Sequence, residues 1–173
     1  LRVLCVQDDV AERLIAMLKG AMDEARIGAP AALSTDIGPV IDAEAQAGIQ
    51  RHIDRMRASG HAVHQAARGL DEVAGHGTFI APTLIEIERL DQLEREVFGP
   101  VLHLLRWRRA ELDALIDQIN ASGYGLTGGV HTRIDETIAR VARRAQVGNL
   151  YVNRNMVGAV VGVQPFGGEG LSG

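Results

Sequence analysis

The chain has a single cysteine, only 3% aromatic residues, five prolines and no surplus of positive charge. One thiol, Cys5, excludes an intramolecular disulfide framework and a cysteine-rich zinc centre, and it fits a reducing compartment, so a cytoplasmic location is expected. The longest apolar run, Val157 to Val163, is broken by two glycines and falls far short of the ~18 residues that span a bilayer. No membrane contact is expected of this segment. A formal net charge of -4 gives no basic footprint for nucleic acid. What remains is a chain of 173 residues with 46% hydrophobic and 23% charged residues, the proportions of a folded domain with an aliphatic core. Twenty glycines point to tight turns or to backbone held close to a ligand.

Strand-like and helix-like periods alternate along the chain. Arg2 to Val6 reads as a strand with no leader before it, and the first residue, Leu1, reads as a cut edge. Asp8 and Asp9 are expected to cap a helix carrying Val10, Leu14, Ile15, Leu18 and Met22 at helical spacing. Asp42 is expected to cap a second helix, with Ile49, Ile53 and Met56 on one face and a stop near Gly60. A short strand follows at His61 to Gln65. The run from Thr78 to Ile87 is β-rich, and Pro82 within it argues for an edge or a bulge. Val101 to Trp107, Leu126 to Thr132 and Asn149 to Val152 read as strands. The stripes Leu112, Leu115, Ile116, Ile119 and Ile134, Ile138, Val141, Ala145 read as helices between them. This order predicts an α/β domain over residues 1–173, an open twisted and mostly parallel sheet with flanking helices, with ligands beyond the carboxyl ends of the strands.

Several candidate sites have ordinary explanations. Gly123 to Gly128 and Gly168 to Gly173 match G-x-G-x-x-G, but neither follows a strand and opens a helix, so both read as turns. Cys5 lies in an apolar strand and reads as a small core hydrophobe. His61, His64 and His76 lack the spacing of a metal site and read as surface histidines; no metal is expected. Arg106, Arg108 and Arg109 read as a solvated strand end. Two stretches are more informative. In Glu96-Val97-Phe98-Gly99-Pro100 a carboxylate suited to a sugar diol stands two residues from a flat aromatic face, although a helix end running into a strand explains the stretch equally well. The glycine-punctuated tail from Asn153 to Gly173 is able to offer backbone N–H groups to an anion beneath an aromatic, or to serve as an interface or a loop packed on the rest of the protein.

Together these stretches resemble the aldehyde dehydrogenase superfamily. Its E-[IV]-F-G-P-V appears as Glu96 to Val101, and its N-x-x-x-Y-G-L with a V-x-T strand as Asn120, Tyr124 to Leu126 and Val130 to Thr132. Its G-x-[IL]-x-[IV]-N appears as Gly148 to Asn153, and its P-F-G-G-x-x-x-S-G as Pro165 to Gly173. Asp36 to Ile41 looks like a further family segment, so the resemblance covers essentially the whole chain. Within the family the tail is most similar to the L-glutamate gamma-semialdehyde (1-pyrroline-5-carboxylate) dehydrogenases of bacterial proline catabolism, whose bifunctional members also carry an FAD-dependent proline dehydrogenase domain.

The resemblance implies NAD-dependent oxidation of the semialdehyde to glutamate. It implies that Glu96 accepts from the nicotinamide-side ribose and that Phe98 packs near the nicotinamide. Gly158 and Ala159 would bind the substrate's carboxylate through their amides, and Phe166 would line the aldehyde site. It implies no catalytic residue within the chain. The family's nucleophile sits in a G-Q-x-C segment that pattern places just upstream of Leu1, and the general base and cofactor domain also lie upstream. Cys5 does not align with it. The chain alone is therefore expected to be an inactive part of a larger, homo-oligomeric enzyme, partnered by the rest of its own polypeptide, with apolar surface exposed where that remainder is missing. The alternatives are a non-catalytic binding or assembly module on the same scaffold, or a dehydrogenase for another aldehyde.

Overall fold

The structure, a computed structural model, describes residues 1–164 and 166–172, and their contacts divide them into two compact units. The larger unit comprises Arg2–Glu88 and Gln92–Trp107. It contains β1 (Val3–Gln7), α1 (Asp8–Glu24), α2 (Ala43–Ala58), β2 (Val63–Gln65), α3 (Leu70–Val73), β3 (Thr83–Ile87) and β4 (Val101–Trp107). Its sheet runs in the order β1-β4-β3-β2. β4 lies parallel to both β1 and β3, with Val3 opposite His103 and Thr83 opposite Val101, while β2 is antiparallel at the margin.

The inner strands read as continuous apolar runs because both of their faces are covered. Val101, Leu104 and Leu105 of β4 and Leu84, Ile85 and Ile87 of β3 are buried. One face of this sheet meets α1, where Val6, Ala11, Ile15, Leu84 and Leu104 form a core cluster. The helix starts differently from the expectation. Gln7 occupies the cap position without a side-chain cap, and Asp8 and Asp9 lie in the first turn, where their charge favours the positive end of the helix dipole. Ile15, Leu18 and Met22 face the core as expected, joined by Ala11, whereas Val10 stays 55% exposed.

α2 follows the expected design. Asp42 accepts from the Ala45 amide at 2.7 Å, and Ile49, Ile53 and Met56 are buried. The chain leaves the helix through Gly60 at φ 87°. Pro82 is placed otherwise than expected. It precedes β3 rather than interrupting it, and β3 is an inner strand between β4 and β2, so the missing N–H costs no ladder bond.

The second unit, from Arg108 onward with Leu1 and Arg89–Asp91, contains α4 (Leu112–Ala121), β5 (Tyr124–Gly125), β6 (Thr127–Val130), α5 (Asp135–Arg144), β7 (Asn149–Val152) and β8 (Glu169–Gly170). The strand expected at Leu126 to Thr132 is present as the shorter β6, and β5 is a separate strand just before it. β6 pairs parallel with β7, and β5 pairs antiparallel with β8 from the tail, forming two small sheets. α4 buries Leu112, Leu115 and Ile116, whereas α5 buries no residue. Charge clips the two helices instead. Arg140 holds both oxygens of Asp113 at 2.6 and 2.5 Å, and Arg144 reaches Asp117 at 2.7 Å.

Neither G-x-G-x-x-G stretch opens a helix: against the expected turns, Gly125 lies in β5, Gly128 in β6 and Gly170 in β8, while Gly173 lies outside the described residues. Gly123 ends α4 at φ 77°, and Gly170, at φ 58°, bends the tail against it, with Leu171 N donating to Gly123 O at 2.7 Å. Among the described residues no helix is long and apolar enough to cross a membrane.

Candidate functional site

Glu96 and Phe98 sit in an irregular segment that runs into β4. Side chains two apart in extended backbone point the same way, and here the residue between them, Val97, is the buried one. Glu96 and Phe98 therefore face outward together, and the Phe98 ring is 67% exposed. Gly99 turns the chain at φ 139°, and its Cα faces Ile49 so closely that a Cβ would lie 2.5 Å from the Ile49 Cδ1. Arg2 joins the pair. Its Nε donates to Glu96 Oε1 at 3.0 Å, and its guanidinium carbon lies 4.1 Å from the centre of the Phe98 ring. Glu96 Oε2 has no partner among the described residues.

This constellation stands at the amino ends of the parallel strands, since Arg2 directly precedes β1 and Gly99-Pro100 directly precedes β4. The expectation of ligand groups beyond the carboxyl ends is thus not met by these residues. No glycine-rich turn follows β1, β3 or β4; the acidic first turn of α1 follows β1 directly and would repel an anion.

In the second unit the tail leaves β7 through Asn153, whose φ of 54° is the one positive value outside glycine among the described residues. Its side chain holds Thr132 twice, accepting from Thr132 N and donating to Thr132 O at 2.9 Å each. The loop beyond is braced from inside. Gln164 Oε1 accepts from Val160 N at 2.7 Å and from Tyr151 OH at 3.4 Å, and the same hydroxyl lies 3.5 Å from Gly158 O. Because a peptide unit is trans, a Gly158 carbonyl turned toward Tyr151 leaves the Ala159 N–H turned away. Among the described residues nothing accepts from the Gly158 or Ala159 amides. Phe166 is 79% exposed on the same tail. Pro165 and Gly173, the two ends of the P-F-G-G-x-x-x-S-G stretch, lie outside the described residues.

The remaining candidates resolve into structural roles. Cys5 is paired in register with Leu105, and burial pushes its thiol up to about 11, which keeps it protonated and poorly nucleophilic. His64 Nε2 pairs with Asp23 at 2.9 Å, and His61 Nδ1 bonds the Glu86 carbonyl at 3.1 Å, so the two have separate partners. Arg106 is no free strand end. It bonds Glu12 and lies 3.0 Å from Glu86, and both carboxylates raise its pKa.

Three features escaped sequence reasoning. His52 and His103 meet in the interior, a contact foreshadowed only by His52 falling on the apolar face of α2 between Ile49 and Ile53. The link from Arg2 to Glu96 joins positions 94 apart and leaves no local signal. The Gln164 brace likewise depends on loop geometry alone.

A model of the aldehyde dehydrogenase family matches residues 1–173. The chain belongs to the aldehyde dehydrogenase family. Over its whole length it is 67% identical to the Bifunctional protein PutA of Klebsiella aerogenes and 65% identical to that of Escherichia coli (strain K12). It is 36% identical over 97% of its length to 1-pyrroline-5-carboxylate dehydrogenase 1 of Halalkalibacterium halodurans. The crystal structure of a Bradyrhizobium japonicum Proline Utilization A (PutA) mutant superposes with a TM-score of 0.91 at 49% identity, covering 99% of this chain and 17% of that one. This aldehyde dehydrogenase chain spans 13% of the two PutA relatives and 31% of the dehydrogenase. The family read from the motifs and the mixed, mostly parallel α/β fold both agree with these matches.

Proposed function

We propose that this chain is part of an NAD-dependent dehydrogenase domain that oxidises L-glutamate gamma-semialdehyde to L-glutamate. In the whole protein that domain is joined to an FAD-dependent proline dehydrogenase and works as a cytoplasmic homo-oligomer. The observation that carries the substrate assignment is that the Gly158 and Ala159 amides, on a braced loop, have no acceptor among the described residues. Such amides suit a carboxylate, which accepts from several donors at once. The likeness to a 1-pyrroline-5-carboxylate dehydrogenase supports the same substrate class.

The residues present fit one edge of the cofactor. Glu96 Oε2 is open to a ribose hydroxyl, and the exposed Phe98 ring offers an apolar face for the nicotinamide side. NAD, when bound, takes up the hydride lost from the aldehyde carbon. The chain's own residues bind and orient. Gly158 and Ala159 fix the carboxylate end of the substrate, Phe166 shields its aliphatic stem from water, and Glu96 holds the ribose. Covalent aldehyde oxidation needs a thiolate nucleophile, and the half-buried Cys5, whose thiol is pushed up to about 11, is unsuited to that part. In this proposal the nucleophile belongs to a G-Q-x-C segment outside these 173 residues.

The test compares the isolated chain with the whole protein, following NADH absorbance with L-glutamate gamma-semialdehyde. The isolated chain should give no turnover above blank, and the whole protein should reduce NAD. Turnover by the isolated chain, or a whole protein that ignores the semialdehyde, would overturn the proposal.

A further inference from the structure

We infer that Arg2 is a positioning residue for the cofactor edge, orienting the Glu96 carboxylate and backing the Phe98 ring with one guanidinium. The inference rests on the proposed roles of Glu96 and Phe98, and it adds a residue to which neither motif belongs.

Glu96 and Phe98 lie in a segment without helix or strand, so nothing in their own backbone ladder fixes their side chains. Arg2 supplies what the segment lacks. Its Nε holds Oε1 at 3.0 Å and leaves Oε2 open, which turns a freely rotating carboxylate into one with a set direction. The same planar group stands 4.1 Å from the Phe98 ring centre. A planar fork is able to bond edge-on and stack face-on together; the ammonium of lysine is not.

Arg2 is itself anchored. Its carbonyl accepts from His103 N at 3.0 Å and lies 3.2 Å from His103 Nδ1, and His103 is buried in β4. The strand thus fixes the Arg2 backbone, while the half-exposed side chain is held by Glu96 and Phe98.

The test uses the whole protein carrying this chain and measures the NAD dissociation constant by titration calorimetry without aldehyde. Arg2→Gln and Arg2→Lys should each weaken NAD binding by about 5- to 30-fold, the range an exposed ion pair and a cation–π contact supply together. The KM for the semialdehyde and the unfolding temperature should stay unchanged. On a Glu96→Gln background, Arg2→Gln should add less than about 3-fold, because the two act through one carboxylate. Should Arg2→Gln fail to fold, Arg2→Lys decides. Wild-type NAD affinity in the folded Arg2 variants, with Glu96→Gln weakened, would overturn the inference alone. Wild-type affinity in Glu96→Gln as well would overturn the reading of Glu96 on which it rests.

Discussion

The Nε2 atoms of His52 and His103 lie 2.8 Å apart in the interior, with the two rings at 78° to each other. The surrounding bonds define one neutral arrangement. His103 Nδ1 faces the Arg2 carbonyl at 3.2 Å and must donate, so its Nε2 accepts from His52 Nε2–H. His52 Nδ1 is then left to accept from Arg55 at 3.3 Å. Adding a proton to either ring sets two donors against each other.

Acid should therefore loosen the larger unit. Burial lowers His52 to about 4, with the charges of His103, Arg55 and Arg95 adding to the effect. Burial also lowers His103, opposed in part by its bond to the Arg2 carbonyl. An unfolded histidine titrates near ~6.5, so the folded chain binds fewer protons than the unfolded one below that pH. The pair's contribution is complete above about pH 6.5 and is lost as pH falls toward 4. Thermal unfolding should show a falling midpoint between pH 7 and pH 4.5, and His52→Gln should flatten that fall. An unchanged pH profile in the variant would contradict this account.

Gly99→Ala should destabilise the chain by about 1–3 kcal/mol, because the new Cβ meets the Ile49 Cδ1 at 2.5 Å and the φ of 139° disfavours any side chain. Urea unfolding measures the loss. A change smaller than about 0.5 kcal/mol would show that the turn relaxes freely.

Much of the larger unit was legible because its signals are local. Ile49, Ile53 and Met56 repeat at helical spacing behind a capping Asp42, and β4 occupies the whole run from Val101 to Trp107. Illegible parts depended on what each segment meets. Val10 continues the helical pattern of α1, but the sheet takes Ala11 in its place, beside the expected Ile15. The break between β5 and β6 arises because the tail returns as β8 to pair with β5 alone, a contact between Tyr124 and Gly170. For the candidate site, motif residues Glu96 and Phe98 were visible, whereas Arg2 and Gln164 act across folded backbone and carry no pattern of their own.

Exposed apolar side chains should make the isolated chain self-associate. Val157 is 93% exposed, Val161 80% and Phe166 79% on the tail, and Met17 is 63% exposed on α1. Light scattering should report a mass that rises with concentration, together with binding of an apolar dye. A monomer at every concentration with no dye binding would be the contrary result.

Gln164→Leu should unbrace the loop that carries Gly158 and Ala159 by freeing Val160 N and Tyr151 OH. In the whole protein the KM for the semialdehyde should rise by about 2- to 10-fold, the worth of a net intramolecular hydrogen bond, with the KM for NAD unmoved. Steady-state kinetics with each substrate varied separately distinguish this from general damage, which would raise both.

Anion recognition by the Gly158 and Ala159 amides is tested most directly by the ratio of kcat/KM for L-glutamate gamma-semialdehyde to that for pentanal, which has the same carbon count and no carboxylate. A site built to hydrogen-bond one group discriminates strongly against an analogue lacking it, so the whole protein should favour the semialdehyde by about 100-fold or more, and Ala159→Pro, which removes one donor, should shrink that ratio. Equal kcat/KM for the two aldehydes would contradict the account.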